Sequence, residues 1–168
     1  KTDEFFYGNF FQGCALAIDK KTKDFFVHHF DERIPHDWII SLYGSLDGGM
    51  YFLNKPLFEY RIHSQNSIGV STLNQDASTH VKRAYQFEER YQKARDALYV
   101  LDILKINCRD YYLRNKVGYL KIESFMNNHI EYLRNKKLLK LFFQNKYAYY
   151  RKLKTMRGRI MDLVYCLK

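Results

Sequence analysis

Apolar residues recur at alternating steps of three and four along the middle of the chain, where Ala84, Phe87, Tyr91, Ala94, Leu98 and Leu101 fall between Val81 and Lys105. That spacing draws one stripe along a helix of about six turns, with charged side chains opposite. Further amphipathic segments around 109–132, 136–150 and 151–167 predict a bundle of about three or four helices in the back part of the chain.

The front part has a different texture. FQGCALAI is a short apolar run behind a glycine and reads as a buried strand. DKKTKDFFVHHF follows as a loop with a short helix. Pro35 suits a first helical position, because it lacks an N–H that would be unsatisfied there. HDWIISLYGSL then places Ile39, Tyr43 and Leu46 on one helix face, puts Asp37 in the first turn, and ends at Gly48 and Gly49. MYFLN and LFEYRIH read as strands joined near Asn54 to Pro56. In the second, Phe58, Tyr60 and Ile62 share one face, and Glu59, Arg61 and His63 share the other. The expected fold class is therefore α+β and mostly helical, with an α/β unit over residues 1–75 and a helical region over 76–168.

Composition sharpens that division. Six of the eight glycines and both prolines precede residue 75. Residues 1–75 carry 7 Lys and Arg against 9 Asp and Glu, whereas residues 76–168 carry 21 against 9, so the net charge of +10 resides in the back part. With 168 residues, 46% of them hydrophobic and 27% charged, the chain is long enough for one core and is not a disordered sequence. No apolar run is long enough to span a bilayer, and KTDEFFYG lacks the basic start and apolar centre of a signal peptide. Cys14, Cys108 and Cys166 are few and far apart, which implies neither a disulfide framework nor a Cys-x-x-Cys zinc site and fits a reducing, cytosolic compartment.

Candidate chemistry gathers in two short stretches, IPHDW and YRIHSQN. Taken alone, Asp37 is a helix N-terminal charge, favoured by the free N–H groups there. Arg61 and His63 alternate with apolar residues as the solvated face of a strand does. His28 and His29 lie in a polar stretch and read as surface. Trp38 is either core filler or a stacking plate for a ligand ring. There is no Gly-rich phosphate loop, Ser nucleophile motif or His-Glu-x-x-His pattern.

The order of these features over residues 10–70 changes their weight. FFQGCALAIDK, then HDW opening a helix, then GGMYFLNKPLFEYRIHSQNSIG resembles the C-terminal half of the catalytic domain of family 2 glycosyltransferases with the GT-A fold. The likeness is to bacterial members that build surface polysaccharides, including the rhamnosyltransferase-like group. It implies a partial GT-A-type unit, the acceptor-side half, ahead of the helical region. It also implies that Asp37 is the general base that takes the proton of an acceptor hydroxyl as that oxygen attacks the anomeric carbon of a nucleotide sugar. Where many relatives have Glu before this Asp, the chain has His36, so no second carboxylate is implied.

By the same resemblance, His63 stands where members place a metal ligand or a diphosphate contact. Arg61 and Asn66 would hold the leaving group or the acceptor, with Trp38 beside them as a substrate contact, and a divalent Mn or Mg ion would neutralise the departing diphosphate. The implied partners are a nucleotide-sugar donor and a polysaccharide or lipid-linked glycan acceptor, at the cytoplasmic side of a membrane. The paired aspartates that precede this region in the family have no counterpart before FFQGCALAI. The chain is accordingly expected to be a fragment, inactive without a nucleotide-binding half.

Two other classes compete. Basic charge and 17% aromatic content suit a nucleic-acid-binding module, but no recognisable RNA or DNA motif is present. KKLLKLFFQNKYAYYRKLK mixes Lys and Arg with Leu, Phe and Tyr as interfacial helices do, which suits an anionic membrane surface. The same segment also reads as a basic solvated face, or as the surface of a homodimer.

Overall fold

The computed structural model describes residues 2–57, 59 and 87–167. These residues are mostly helical. A 3₁₀ turn over Thr2–Phe6 is followed by a second at Gly13–Ala15, by α1 (Lys20–His28) and by α2 (His36–Leu46). α1 starts where the Asp19 carboxylate accepts the Thr22 N–H at 2.7 Å, a side-chain cap that satisfies one otherwise unpaired donor. α2 begins one residue after Pro35, whose φ of −54° already suits a helix entrance. It ends before Gly48 and Gly49, whose φ values of 95° and 96° admit glycine far more readily than other residues.

The expected strands are not seen. Among the described residues there is no β-strand. In FQGCALAI the chain tightens into a turn, with the Ala15 N–H donating to the Gln12 carbonyl at 2.8 Å. MYFLN has no regular structure, and Tyr51 and Phe52 are 90% and 77% exposed. An alternating apolar pattern holds a strand only when a neighbouring strand pairs its backbone and a layer covers its apolar face, and MYFLN finds neither among the described residues. Of LFEYRIH, only Leu57 and Glu59 belong to the described residues.

The back part forms more and shorter helices than the periodicity suggests: α3 (Phe87–Asn107), α4 (Arg109–Arg114), α5 (Lys116–Arg134), α6 (Leu138–Gln144), α7 (Ala148–Leu153) and α8 (Met156–Leu167). The first break falls at Cys108, and the later ones fall at or beside polar residues, Asn115, Lys136, Asn145 and Thr155. After α5, Lys136 takes a φ of 48°, and the Lys137 and Lys136 N–H groups turn back to the carbonyls of Tyr132 at 2.8 Å and Leu133 at 3.2 Å. This is a Schellman cap with a lysine where glycine is usual, at a cost of about 1–2 kcal/mol.

α3 is buried more widely than one stripe. Ala94 and Leu101 are buried as the pattern predicts, but so are Ala97, Val100, Ile103 and Leu104. The cause is packing on several sides, against α5, α4 and the first 3₁₀ turn. Front and back residues share one core, in which Phe6, Ile39 and Leu42 join Val100, Leu104 and Met126. Polar ties cross the same seam. Tyr43 Oη donates to the His29 carbonyl at 3.0 Å and accepts from Asn107 Nδ2 at 2.9 Å, while Arg33 pairs with Asp102 at 2.7 Å. The expected boundary near residue 75 lies outside the described residues.

Candidate functional site

Asp37 stands in the first turn of α2, and three donors hold its carboxylate. Oδ1 accepts Asn9 Nδ2 at 2.8 Å and the Trp38 N–H at 2.9 Å, and Oδ2 accepts the Gly13 N–H at 3.1 Å. Two of the sequence motifs therefore meet in space, because Gly13 belongs to FFQGCALAIDK and Asp37 to HDW. A Cβ on residue 13 would lie 3.0 Å from His36 Nε2 and 3.5 Å from Asp37 Cβ. Glycine is what permits this approach. A carboxylate has room for about four hydrogen bonds, and three on Asp37 are taken among the described residues.

Asp37, Ile40, Ser41 and Gly44 recur at helical spacing and share one face of α2. The last three line an open groove of about 950 Å³, together with residues 10–12, 15–19, 22 and 49–57. Within it Ser41 is buried, and its Oγ has no hydrogen-bond partner among the described residues. Trp38 lies on the opposite side, 7% exposed, with Nε1 donating to the Phe5 carbonyl at 2.9 Å. Its ring is core filler here, and a stacking plate would need an open face that it does not offer. Arg61, His63 and Asn66 lie outside the described residues. Among the described residues no cluster of three His, Cys, Asp or Glu side chains has the arrangement of a metal site. Of the surface histidines, His28 is exposed, whereas His29 is half-buried and stacks on Phe25 with ring centroids 4.1 Å apart.

A second polar constellation was not foreseen. Asp162 of α8 is fully buried and accepts from Lys154 Nζ at 2.6 and 2.8 Å and from Tyr150 Oη at 2.7 Å, with Arg90 at 3.5 Å. Lys154 Nζ also donates to the Arg90 carbonyl. His129 completes the group. Its Nδ1 lies 2.9 Å from Gln144 Oε1, which places the ring proton on Nδ1, and its Nε2, without a hydrogen-bond partner among the described residues, faces Asp162 Oδ2 at 3.7 Å. Burial lowers His129 to about 4, helped by the Lys154 charge, so the ring is neutral. Burial also draws Lys154 down to about 8 against the opposing pull of Asp162. It raises the Tyr150 phenol, with the Asp162 charge acting in the same direction. His129, Tyr150, Lys154 and Asp162 are all buried. The network ties α3, α5, α7 and α8 together in the interior. One signal for it was present in the sequence: Asp162 is the sole acidic residue after Glu131.

A third feature lies at the surface. α5, α6 and the start of α7 enclose a groove of about 710 Å³ that includes Lys121, Lys140, Lys146, Tyr132, Phe143 and Tyr147 and no carboxylate. Lys140 Nζ lies 5.3 Å from the Tyr132 ring centroid and Lys146 Nζ 5.2 Å from that of Tyr147. Compared with protein-family models, curated proteins and solved structures, the chain gives no match.

Proposed function

We propose that this chain supplies the acceptor side of an inverting glycosyltransferase of the family 2 type, with Asp37 as the general base. The observation that supports this reading is the Gly13 N–H to Asp37 hydrogen bond, which joins two of the motifs carrying the resemblance at the first turn of α2, on the helix face that Ile40, Ser41 and Gly44 continue into the groove. In the reaction an acceptor hydroxyl oxygen forms a bond to the anomeric carbon of a nucleotide sugar. The bond from that carbon to the diphosphate oxygen breaks, its electron pair leaves with the diphosphate, and the hydroxyl proton passes to Asp37. Asn9 and the Gly13 N–H fix the carboxylate, so little reorientation is needed when the hydroxyl arrives.

The groove along Ile40, Ser41 and Gly44 takes the acceptor, a glycan that is either part of a polysaccharide or linked to a lipid at the cytoplasmic face of a membrane. Trp38, buried behind Asp37, has a positioning role in this scheme. Arg61 and Asn66 are assigned to the diphosphate or the acceptor, and His63 to a Mn or Mg ion, through the resemblance alone. The described residues offer no ligand set for that ion, so no step above runs through it.

The test is nucleoside diphosphate release from nucleotide sugars in the presence of acceptor, using the complete enzyme that contains these residues. Asp37→Asn keeps the shape but does not take the proton. Transfer should fall by about 10² to 10⁴, while donor affinity, measured by calorimetry, stays within a few-fold. Transfer within a few-fold of the parent would place the base elsewhere.

A further inference from the structure

α6 has an anomalous outer face. Leu141 and Gln144 point inward and are buried, so the outward positions of a surface helix should be polar. Instead Leu139, Phe142 and Phe143 are 71%, 57% and 62% exposed. Val117 and Leu120 on the neighbouring turns of α5 are also exposed, and Tyr147 follows on the far side of the groove. The Phe142 and Phe143 ring centroids are 5.8 Å apart, and Phe143 lines the groove with Val117, Leu120 and Tyr147, so exposed apolar side chains run from α6 to the groove.

Around that patch stand Lys121, Lys140 and Lys146, none of which forms an ion pair among the described residues. Lys137 differs, because it is bonded to Glu131. Lys140 and Lys146 instead lie over tyrosine rings. Glu131, already bonded to Lys137, lies within electrostatic reach of Lys140 but does not pair with it, and all three lysines line the groove beside the apolar side chains. A surface with aliphatic and phenyl groups at its centre and free ammonium groups at its edge matches a lipid headgroup layer, where acyl chains lie beneath phosphates. Nucleic acid would use the lysines and the rings but would find no purpose for Leu139, Val117 and Leu120.

We propose that the α5–α6 face docks on an anionic phospholipid bilayer, with Leu139, Phe142 and Phe143 entering the interface and Lys121, Lys140 and Lys146 holding lipid phosphates. This surface does not depend on the transferase reading, and its test needs no transfer assay.

The experiment is sedimentation of the full chain with vesicles of phosphatidylcholine alone or mixed with phosphatidylglycerol, across a salt series. The parent should bind the mixed vesicles, bind the neutral ones far less, and release as salt rises. Three lysines near a charged surface contribute enough that the triple change Lys121→Gln, Lys140→Gln and Lys146→Gln should weaken partitioning by about a hundredfold. The matched change of exposed cations elsewhere, Lys23→Gln, Lys105→Gln and Arg109→Gln, should weaken it much less. Phe142→Ser with Phe143→Ser removes exposed rings without opening the core, and should weaken binding at least tenfold with the helical circular dichroism unchanged. Equal loss in both lysine triples would reduce the effect to net charge and overturn the proposal. Unchanged binding in the Phe variant, or no preference for anionic vesicles at low salt, would overturn it too. So would self-association that the Phe variant abolishes in a chain that binds no vesicle, because the face would then belong to a second copy.

Discussion

Asp162→Asn is the sharpest test of what holds the back helices together. The substitution keeps the volume and one acceptor oxygen but removes the negative charge that faces Lys154, which is 9% exposed. Two routes then compete. If Lys154 stays charged, an unpaired buried cation costs about 3–5 kcal/mol. If it gives up its proton, the cost at pH 7 is bounded by the distance to its unfolded value of 10.5, at most about 5 kcal/mol at roughly 1.4 kcal/mol per pH unit. Both routes give a loss of about 3–5 kcal/mol, which for a chain of this size lowers the melting temperature by about 6 to 20 °C. Thermal melts and urea titrations followed by circular dichroism measure it.

The pH dependence identifies the cause. An unfolded lysine binds its proton up to 10.5, so wherever the folded form is already neutral the unfolded state holds more protons and stability rises with pH. In the parent that rise from Lys154 begins near its folded value of about 8. In Asp162→Asn it should begin lower, because the charge opposing the shift is gone. The pair Asp162→Leu with Lys154→Met should be less damaging than Asp162→Asn alone, since no unpaired charge remains. A single variant within about 1 kcal/mol of the parent, with an unaltered pH profile, would refute the view that the carboxylate balances a buried cation.

Other outcomes follow from the same geometry. His129 is neutral in the fold down to about 4, whereas the unfolded ring protonates near 6.5. The unfolded state therefore binds more protons between those values, and stability falls by about 3 kcal/mol as pH drops through that window. His129→Gln should flatten the urea midpoint between pH 6.5 and 4 relative to the parent, and an unchanged slope would assign the acid sensitivity to other groups. Tyr43→Phe removes the hydroxyl that joins His29 to Asn107, and should cost about 1–3 kcal/mol in urea because both partners lose a bond. A loss below about 0.5 kcal/mol would mean that water replaces it freely.

Helix positions were legible where sequence and local chemistry agreed. α2 was bounded by Pro35 and by Gly48 and Gly49, and Asp37 fell in its first turn as the pattern required. The long stripe led to α3 because six apolar residues kept helical spacing over many turns. The strands failed because FQGCALAI and MYFLN were judged on apolar pattern alone, and a strand depends on partners elsewhere in the chain that periodicity does not reveal. The helices of the back part that belong to the described residues were undercounted because their breaks lie at Cys108, Asn115, Lys136, Asn145 and Thr155, which leave the amphipathic pattern almost unbroken. The buried network was hidden for a different reason. Lys154 and Asp162 are charged residues in a basic, polar-looking stretch, and charged side chains are nearly always taken as surface.

The basic excess of the back part has, in this structure, more than one fate. Lys154 and Arg90 are drawn inward by a single carboxylate, Asp162, and their role is to close the interior. Arg134, Lys136 and Lys140 lie over the rings of Phe87, Tyr165 and Tyr132, where the attraction is weak and leaves the charge available. With 28 basic and 18 acidic residues in the chain, ten cations have no internal counterion to find, and their mutual repulsion opposes compaction. A counter-charge from outside relieves that repulsion, and it does so most where the cations surround exposed apolar side chains. The α5–α6 face is such a place, whereas Asp37 and its groove lie on α2. A chain arranged in this way separates the surface that would hold it at a membrane from the carboxylate that would act on an acceptor.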